Sequence, residues 1–307
     1  MAMDLRQLAA LVAVAETGTF SAAADALHTV QSNVSTHVAR LERELGATLV
    51  DRHAGRLTEE GELVVARARA VQAELEALAA DVASLHQEVS GTVRVGMIGT
   101  AGRWLVPALL TSLEERHPRV NVTVLEGNTT SLVPQLVSGR VELAVINYPT
   151  TDPDLVVEPL FDEDLIVVAP LDHPLAEAAE VAVADLAQHE LLLPPTGASI
   201  RVDLDRAATA AGVTLRAKAE LDGLRLIASM AMEGYGAAVL PSSAVPRWLT
   251  GDFRRIPVTG VTPRRVGIGQ RRRGLPSAAS NAVAAILREV VDDLAPHIPG
   301  LHPSGTT

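Results

Sequence analysis

Residues 20–46, which read FSAAADALHTVQSNVSTHVARLERELG, predict two helices joined by a tight turn. The first helix is short and begins at Ser21, its expected N-cap. After a turn at residues 28–30, a longer helix runs over Gln31–Leu45. Apolar residues mark one face of this longer helix: Val34, Val38, Leu41 and Leu45. This arrangement is typical of a helix-turn-helix, whose second helix enters the major groove of DNA.

The first turns of the second helix carry polar side chains that suit base edges. They are Gln31, Ser32, Asn33, Ser35, Thr36 and His37, with Arg40 one turn further. Gln and Asn can hydrogen-bond adenine bidentately, and Ser and Thr can bond bases or phosphates. The same pattern also fits the solvated face of a structural helix, and spacing alone leaves the two interpretations even. These residues are the predicted DNA-binding residues.

The flanking sequence completes a winged domain over residues 1–58. Upstream, a helix ends at Gly18 and carries one apolar stripe: Leu5, Leu8, Leu11, Val12 and Ala15. Downstream, two short segments bracket a turn at residues 53–55, which is the shape of a wing. Arg52 and Arg56 stand beside this turn and are predicted to contact phosphates or the minor groove.

Residues 59–89 predict one long helix with a coiled-coil seam. Its apolar residues recur in alternating steps of four and three: Val64, Ala68, Val71, Leu75, Leu78, Val82, Leu85 and Val89. A narrow seam of period 3.5 favours a coiled coil, whereas a helix packed on its own domain usually shows a broader stripe. The packed helix remains the alternative. The seam predicts a homodimer held by Val71, Leu75, Leu78, Val82 and Leu85.

After Ser90-Gly91 the pattern alternates between strands and helices, which predicts an α/β fold with parallel strands. The predicted strands are residues 92–98, 120–125, 143–146, 165–169, 191–193 and 237–240. The predicted helices are residues 107–116, 131–137, 199–211, 224–233 and 277–294. The last residues, 295–307, are expected to form a flexible tail.

Composition limits the function classes. The chain has 307 residues, 48% of them hydrophobic, with no apolar run of membrane-spanning length and no signal-peptide pattern, so a cytoplasmic protein with packed cores is expected. The absence of cysteine excludes disulfides, thiolate catalysis and thiol redox sensing. The net charge is −11, and residues 1–90 hold seven Arg against thirteen Asp plus Glu. DNA contacts must therefore come from a local patch.

Catalytic and metal-binding patterns are missing from the sequence. The nine histidines form no HExxH motif and no zinc-type spacing, and there is no P-loop and no GxSxG motif. The sequence therefore predicts no cofactor, no metal and no enzymatic activity.

One set of residues matches a known family pattern. In the N-terminal region these are Asp4-Leu5-Arg6-Gln7-Leu8, Phe20-Ser21, Ala23-Ala24, Leu27-His28, Gln31, Ser35, Leu41-Glu42, Glu44-Leu45-Gly46, Arg52, Leu57-Thr58 and Gly61. Further along the chain they are Gly91, Leu136, Gly139, Leu143-Ala144, His173-Pro174-Leu175, Gly234, Gly236 and Leu240-Pro241. Together they closely resemble the LysR-type transcriptional regulators over the whole chain.

The resemblance implies a winged helix-turn-helix, a long dimerisation helix and a two-lobed effector domain like that of periplasmic binding proteins. It also implies homodimers that pair into homotetramers. The family's recognition positions fall on Gln31, Ser32, Asn33, Ser35 and Thr36. Three residues depart from the usual pattern: Val30, Ser32 and Thr36 stand where the family has Ser, Pro and Arg. Val30 is a poor N-cap, and the wing also looks short, so the bases that are read can differ from the family's.

In the family, the effector binds between the two lobes, at the carboxyl ends of the strands. The residues predicted there are Gly99, Thr100, Arg103, Thr129, Thr130, Asn147, Thr196, Ser199 and Arg201. Helix N-termini near Gly102, Thr130 and Ser199 favour an anion. Arg103 and Arg201 could clamp a carboxylate, which makes a small organic anion the expected effector. Each of these residues also fits an ordinary cap or loop position.

A basic run near the end of the chain has two interpretations. It consists of Arg264, Arg265, Arg271, Arg272 and Arg273. We predict a solvated connection near the second crossing between the lobes, with nucleic-acid binding as the alternative.

The sequence therefore predicts a transcriptional regulator that binds double-stranded DNA at an interrupted inverted repeat and is controlled by a small molecule. Its predicted parts are a winged helix-turn-helix over 1–58, a linker helix over 59–89, an effector domain over 91–294 and a tail over 295–307. Lobe I is predicted over 91–163 plus 267–294, and lobe II over 164–266. The alternative is an enzyme or solute-binding protein on the same two-lobed fold, with the N-terminal helices used only for assembly.

Overall fold

The computed structural model describes residues 3–52, 55–84, 89–246 and 248–304. The chain divides into an N-terminal unit, Met1–Ala79 with Ser138–Arg140, and a C-terminal unit that comprises Ala80–Val137 and Val141–Thr307. The helices are α1 Leu5–Thr17, α2 Phe20–Ala26, α3 Gln31–Leu45, α4 Glu59–Ser84, α5 Gly99–Arg116, α6 Thr129–Val137, α7 Val183–Leu186, α8 Ser199–Ala210, α9 Leu224–Met232 and α10 Ala278–Leu294. Short 3-10 helices lie at Pro174–Glu177, Ser242–Ala244 and Ala295–His297.

The strands pair into three sheets. They are β1 Val50–Asp51, β2 Arg56–Leu57, β3 Gly91–Ile98, β4 Val120–Gly127, β5 Leu143–Asn147, β6 Leu155–Glu163, β7 Leu165–Pro170, β8 Val181–Ala182, β9 Glu190–Leu193, β10 Arg216–Glu220, β11 Ala237–Pro241, β12 Phe253–Thr259, β13 Arg264–Arg271 and β14 Leu301–Pro303. β1 and β2 form the wing of the N-terminal unit. The two six-stranded sheets belong to the C-terminal unit.

The predicted helix-turn-helix is confirmed, and α3 has the predicted bounds. Its apolar face packs with α1 and α2 into one core in which Val34, Val38 and Leu41 are fully buried. The predicted N-cap of the short helix is wrong: Thr19, not Ser21, caps α2, because its hydroxyl accepts a hydrogen bond from the Ala22 N–H at 3.1 Å. The N-cap of α3 is Val30, which makes no side-chain capping bond, as its residue type requires.

Gly61 fixes the approach of α4 to the wing. A Cβ built on this residue would lie 2.0 Å from the carbonyl oxygen of Leu49, so only glycine fits there. Thr58 caps the same helix, since its hydroxyl accepts from the Gly61 N–H at 3.0 Å and donates to the Thr48 carbonyl at 2.7 Å. The family pattern at Leu57-Thr58 and Gly61 therefore reflects a close contact between the backbone of α4 and the wing.

The long helix α4 uses its apolar residues in two ways. Val65 and Ala68 are buried in the core of their own unit, and Val64 packs against it. Four later positions of the predicted seam are exposed: Val71 (39%), Leu75 (43%), Leu78 (63%) and Val82 (52%). Leu85 lies outside the described residues. Val89 is not helical and packs against the core of the first lobe, so the predicted extension of the helix to residue 89 is wrong.

The C-terminal unit contains two mixed sheets, one in each lobe. The first has the order β14-β6-β13-β5-β3-β4 and the second β10-β9-β11-β7-β12-β8. β3 is parallel to both of its neighbours, but β13 runs antiparallel to β5 and β6. The predicted parallel strands are therefore present, but each sheet also contains antiparallel pairs. The chain crosses to the second lobe after β6 and returns through β13, which enters the first sheet in the opposite direction.

The return to the first lobe comes earlier than predicted. β13 begins at Arg264 and belongs to the first sheet, so the crossing lies before that residue and not after residue 266. β6 contains Pro159, which faces Gly267 where the register of the pair shifts. Proline is tolerated in a strand at such an irregularity, and its presence explains why β6 was missed in the sequence.

Helix α5 also begins earlier than predicted, at Gly99 and not at Pro107. An internal proline removes one helical hydrogen bond. The helix continues through it because its inner face is buried on both sides of the proline: Ala101, Leu105, Leu109 and Leu113. The early start places the N-terminus of this helix directly after β3.

The predicted flexible tail is wrong as far as Ser304. β14 pairs antiparallel with the edge strand β6, and Leu301 is buried at 4% exposure. The Gly300 carbonyl accepts from the Asp164 N–H at 2.7 Å. Burial of Leu301 and pairing of β14 with the edge of β6 therefore order residues 301–303.

Among the described residues, no single helix has the length and apolar character to cross a membrane. Only Leu5–Thr17 and Phe20–Ala26 taken together meet that standard, and they are bent by 115° relative to each other.

Candidate functional site

The first candidate site is the outer face of α3. Five of the predicted DNA-binding residues on it are exposed: Gln31, Ser32, Asn33, Thr36 and Arg40. Ser35 and His37 are half-buried. Arg43 is also exposed, and the helical period places it on the same face as Thr36 and Arg40. The sequence analysis missed Arg43, although the spacing of 36, 40 and 43 was the signal that could have found it.

Internal hydrogen bonds separate these side chains into two groups. Asn33 donates to the Thr29 hydroxyl at 2.9 Å, and Thr36 donates to the Ser32 carbonyl at 2.7 Å. Each of these two side chains must therefore give up a hydrogen bond within the helix region before it can bind a base. The side chains of Gln31 and Arg40 make no hydrogen bond to the described residues and are the more available donors.

The wing is fixed to α3 by one carboxylate. Glu42 accepts from the backbone N–H groups of Leu49 at 2.9 Å and Val50 at 3.2 Å. Arg52 lies 3.8 Å from the same carboxylate and over the ring of Phe20, so it is partly held in place. Arg56 is exposed on β2. Most of the predicted turn at 53–55 lies outside the described residues.

A groove of about 950 Å³ separates the first turns of α3 from the wing. Gln31 and Ser35 lie on one side, and Arg52 and Arg56 on the other. This combination of a hydrogen-bonding side chain and two guanidinium groups is the chemistry needed to hold a phosphate backbone beside a base edge.

The second candidate site is a cavity of about 450 Å³ between the two lobes of the C-terminal unit. Six predicted effector-binding residues line it: Gly99, Thr100, Thr129, Thr130, Asn147 and Ser199. Arg103, Thr196 and Arg201 are not among its described lining residues. Four charged residues that the sequence analysis did not assign to the cavity do line it: Glu126, Asp222, Arg225 and Arg264.

The predicted carboxylate clamp is therefore wrong. Arg201 is buried and donates to Asp205, to Glu220 and to the Pro194 carbonyl at 2.9–3.0 Å. Burial disfavours its charged form, but the two carboxylates outweigh burial and raise the pKa of Arg201. Arg103 donates to the carbonyl of Ala244 at 3.0 Å. The sequence analysis did not foresee these partners, because Ala244 is remote from Arg103 in sequence and Glu220 lies on β10, a strand that was not predicted.

Two threonine hydroxyls of the cavity already act as acceptors. The Thr100 hydroxyl accepts from Arg264 at 2.8 Å, and the Thr129 hydroxyl accepts from the Asn147 N–H at 3.1 Å. Neither hydroxyl hydrogen has an acceptor among the described residues, so both are available to a ligand oxygen. The side-chain oxygen of Asn147 is buried and has no hydrogen-bond partner in the described part of the chain, while its amide nitrogen lies 3.4 Å from the Ser199 hydroxyl in the other lobe.

Four helices begin at this cavity. Gly99, Thr129, Ser199 and Leu224 are the first residues of α5, α6, α8 and α9, and all four line it. In the described structure, α5, α8 and α9 begin without a side-chain cap, so their N-terminal N–H groups are not satisfied by a capping side chain. The positive ends of the helix dipoles therefore meet in one place and favour negative charge.

The basic run is exposed at Arg265, Arg272 and Arg273, as predicted for a solvated connection, but it begins as the strand β13 and not as a loop. Arg264 is buried and forms an ion pair with the fully buried Glu163. Arg265 lies over the ring of Tyr148, and Arg272 donates to the carbonyls of Pro153 and Leu155. These side chains fasten β13 to its neighbours. Among the described residues, no group of three or more His, Cys, Asp or Glu could hold a metal ion.

Two family models match the chain. The model described as "Bacterial regulatory helix-turn-helix protein, lysR family" matches residues 5–62, and "LysR substrate binding domain" matches residues 86–292. The first covers the helix-turn-helix and wing, and the second covers both lobes and the cavity.

Whole-chain relatives agree. A probable hydrogen peroxide-inducible genes activator from Streptomyces viridosporus is 35% identical over 303 residues, which cover 95% of both proteins. The DNA-binding transcriptional dual regulator OxyR of Escherichia coli is 31% identical over 246 residues, which cover 80% of this chain and 81% of OxyR. A solved full-length OxyR variant of Pseudomonas aeruginosa, with a cysteine replaced by aspartate, is 28% identical, with a TM-score of 0.75 over 95% of each chain.

These relatives are transcriptional regulators and not enzymes, which also disfavours the alternative of an enzyme or solute binder. The chain belongs to the LysR family of effector-controlled, DNA-binding transcriptional regulators.

Proposed function

We propose that this regulator reads DNA as a homodimer and is switched by the reversible binding of a small organic anion between its lobes. The observation that carries the proposal is the set of donors in the cavity. Two threonine hydroxyls have hydrogens to donate, and four helix N-termini meet there. A carboxylate supplies the acceptors and the negative charge that these groups lack.

The relatives' names raise hydrogen peroxide as the signal, but this chain has no residue for thiol chemistry. Oxidant sensing by cysteine requires a thiolate that becomes a sulfenic acid or a disulfide. None of the 307 residues is cysteine. Control by occupancy of the cavity is the proposal that fits this composition.

The mechanism that we propose is a shift between two closures of the lobes. The cavity has walls from both lobes, so a ligand that bridges them stabilises one closure over another. Operator affinity changes by the difference in ligand affinity between the two states. Because the chain acts on DNA, we place it in the cytoplasm.

On the DNA side, we propose that Gln31, Ser32, Thr36 and Arg40 meet the major groove, with Arg52 and Arg56 beside it. The exposed part of the α4 seam pairs two chains, and a dimer of dimers requires further contact surfaces. Paired recognition helices match two half-sites about one helical turn apart, roughly 34–36 Å, so the operator is an interrupted inverted repeat.

Calorimetry of the full-length protein against a metabolite panel tests the effector class. We expect carboxylates to bind the wild type and to bind Thr129→Val more weakly, while Thr196→Val, outside the described cavity lining, keeps wild-type affinity. A preference for cations or uncharged sugars would contradict the proposal. Operator affinity should also remain unchanged after exposure to hydrogen peroxide at concentrations that leave methionine unoxidised.

A further inference from the structure

An ion pair closes one side of the cavity and joins the lobes. Glu126 lies near the end of β4 in the first lobe, and Arg225 lies in the first turn of α9 in the second. Their nearest oxygen and nitrogen are 2.7 Å apart, and each side chain is half exposed. Both residues line the cavity, so a ligand that enters meets this pair.

Gly99 provides the space for the pair. A Cβ on this residue would lie 2.6 Å from the Glu126 carboxylate oxygen and 3.4 Å from Arg225 Nε. The pair therefore lies directly over the first residue of α5, where the helix N-terminus also favours a carboxylate. Glu126 thus occupies a position that suits the negative group of a ligand.

A second guanidinium, that of Arg103, interacts electrostatically with the same carboxylate. Burial lowers the pKa of Arg103, the nearby charge of Arg225 lowers it further, and Glu126 acts in the opposite direction. Arg103 is held by its hydrogen bond to the Ala244 carbonyl. The Glu126 carboxylate therefore acts electrostatically on the guanidinium groups of both Arg103 and Arg225, and it forms its ion pair with Arg225.

We propose that Glu126 is a built-in competitor of the effector, whose carboxylate binds Arg225 by displacing Glu126. This inference rests on the proposed function, and it adds the residue that receives the anion and the group that must leave. Binding exchanges one ion pair for another, so a ligand without negative charge cannot replace Glu126. The exchange also removes a contact that joins the lobes, which couples binding to their closure.

The test uses two carboxylates, malonate and benzoate, titrated into the full-length protein by calorimetry at constant ionic strength. Malonamide and benzamide serve as uncharged probes. We expect Glu126→Gln to bind at least one carboxylate about three- to tenfold more tightly than wild type, because a competing exposed ion pair is removed. Arg225→Gln should bind it about tenfold more weakly. The controls Glu115→Gln and Arg273→Gln change charge at exposed positions outside the described cavity lining and should match wild type.

The outcomes separate this inference from the proposed function. Carboxylate binding by wild type with no gain in Glu126→Gln would overturn the competitor role and leave the anion site intact. Failure of every variant to bind either carboxylate would overturn both proposals. If Glu126→Gln bound malonamide or benzamide more tightly by the same factor as the carboxylates, the proposed exchange would also be overturned, since the amides carry no charge to replace that of Glu126.

Discussion

The guanidinium of Arg264 pairs with the carboxylate of Glu163 where the chain passes between the lobes. Glu163 ends β6, and Arg264 begins β13, so the pair joins both crossings. The same carboxylate accepts from the Ser243 N–H at 2.6 Å, and Arg264 reaches the cavity through Thr100. A contact remote in sequence thus positions a hydroxyl of the proposed ligand site.

Glu163→Gln should destabilise the C-terminal unit by about 3–5 kcal/mol, because it leaves the buried Arg264 charge unpaired. Urea unfolding followed by tryptophan fluorescence measures the change, since Trp104 packs edge-on against Phe161 in this lobe. The matched control is Glu158→Gln, whose partner Arg288 is on the surface, and it should cost about 1 kcal/mol or less. Equal costs for the two variants would show that burial does not set the strength of the pair.

Gly61→Ala should destabilise the N-terminal unit by about 1–3 kcal/mol, because the new methyl group would strike the Leu49 carbonyl. Operator affinity should fall with it, since α4 and the wing can no longer approach. Gly102→Ala is the control: its Cβ would meet nothing closer than 3.5 Å, and it lies within α5, where alanine is the better helix former. Circular dichroism during thermal unfolding compares the two, and a Gly61→Ala protein as stable as wild type would contradict the contact.

The sequence predicts the helix-turn-helix well because its signals are local. Caps, turns and apolar spacing within about fifteen residues determine α3, whose bounds Gln31–Leu45 were predicted correctly. The site in the lobes depends instead on contacts that the sequence pattern does not contain. Residues that directly follow a strand or lie at its end, such as Thr100 and Thr129, could be placed in this site, because the sequence predicts where the strands end.

The charged residues of the cavity could not be chosen from sequence. Arg201 looked available, but its carboxylate partner Glu220 lies on β10, a strand with exposed side chains and no apolar alternation. Because β10 was not predicted, the position of Arg225 beside the cavity could not be predicted either. Arg264 belonged to a run of arginines that resembled a solvated loop, and only the pairing of β13 with β6 shows that it is buried.

Gln31→Ala should weaken binding to the specific operator by about 1–3 kcal/mol and leave binding to random DNA nearly unchanged, because it removes a base contact. Arg43→Ala is the contrasting variant: as a phosphate contact, it should weaken both kinds of binding alike and reduce the salt dependence. Fluorescence anisotropy with operator and scrambled duplexes at several salt concentrations separates the two. Equal losses on both duplexes for Gln31→Ala would mean that this residue does not read bases.

The exposed seam of α4 predicts the oligomeric state. Leu78 and Val82 are 63% and 52% exposed in the single chain, although the spacing that relates them continues from Ala68, which is buried. Large apolar side chains that remain uncovered along a heptad position gain by pairing with a second copy of the helix. Leu78→Glu with Val82→Glu places two charges where that pairing would bury them without partners, which is costly. We expect a monomer by light scattering and a large loss of operator affinity, because one chain contacts one half-site.

Gln72→Glu with Ala79→Glu is the control. It adds the same charge one residue after two seam positions, Val71 and Leu78, and should remain dimeric. A double seam variant of unchanged mass would mean that other surfaces hold the chains together.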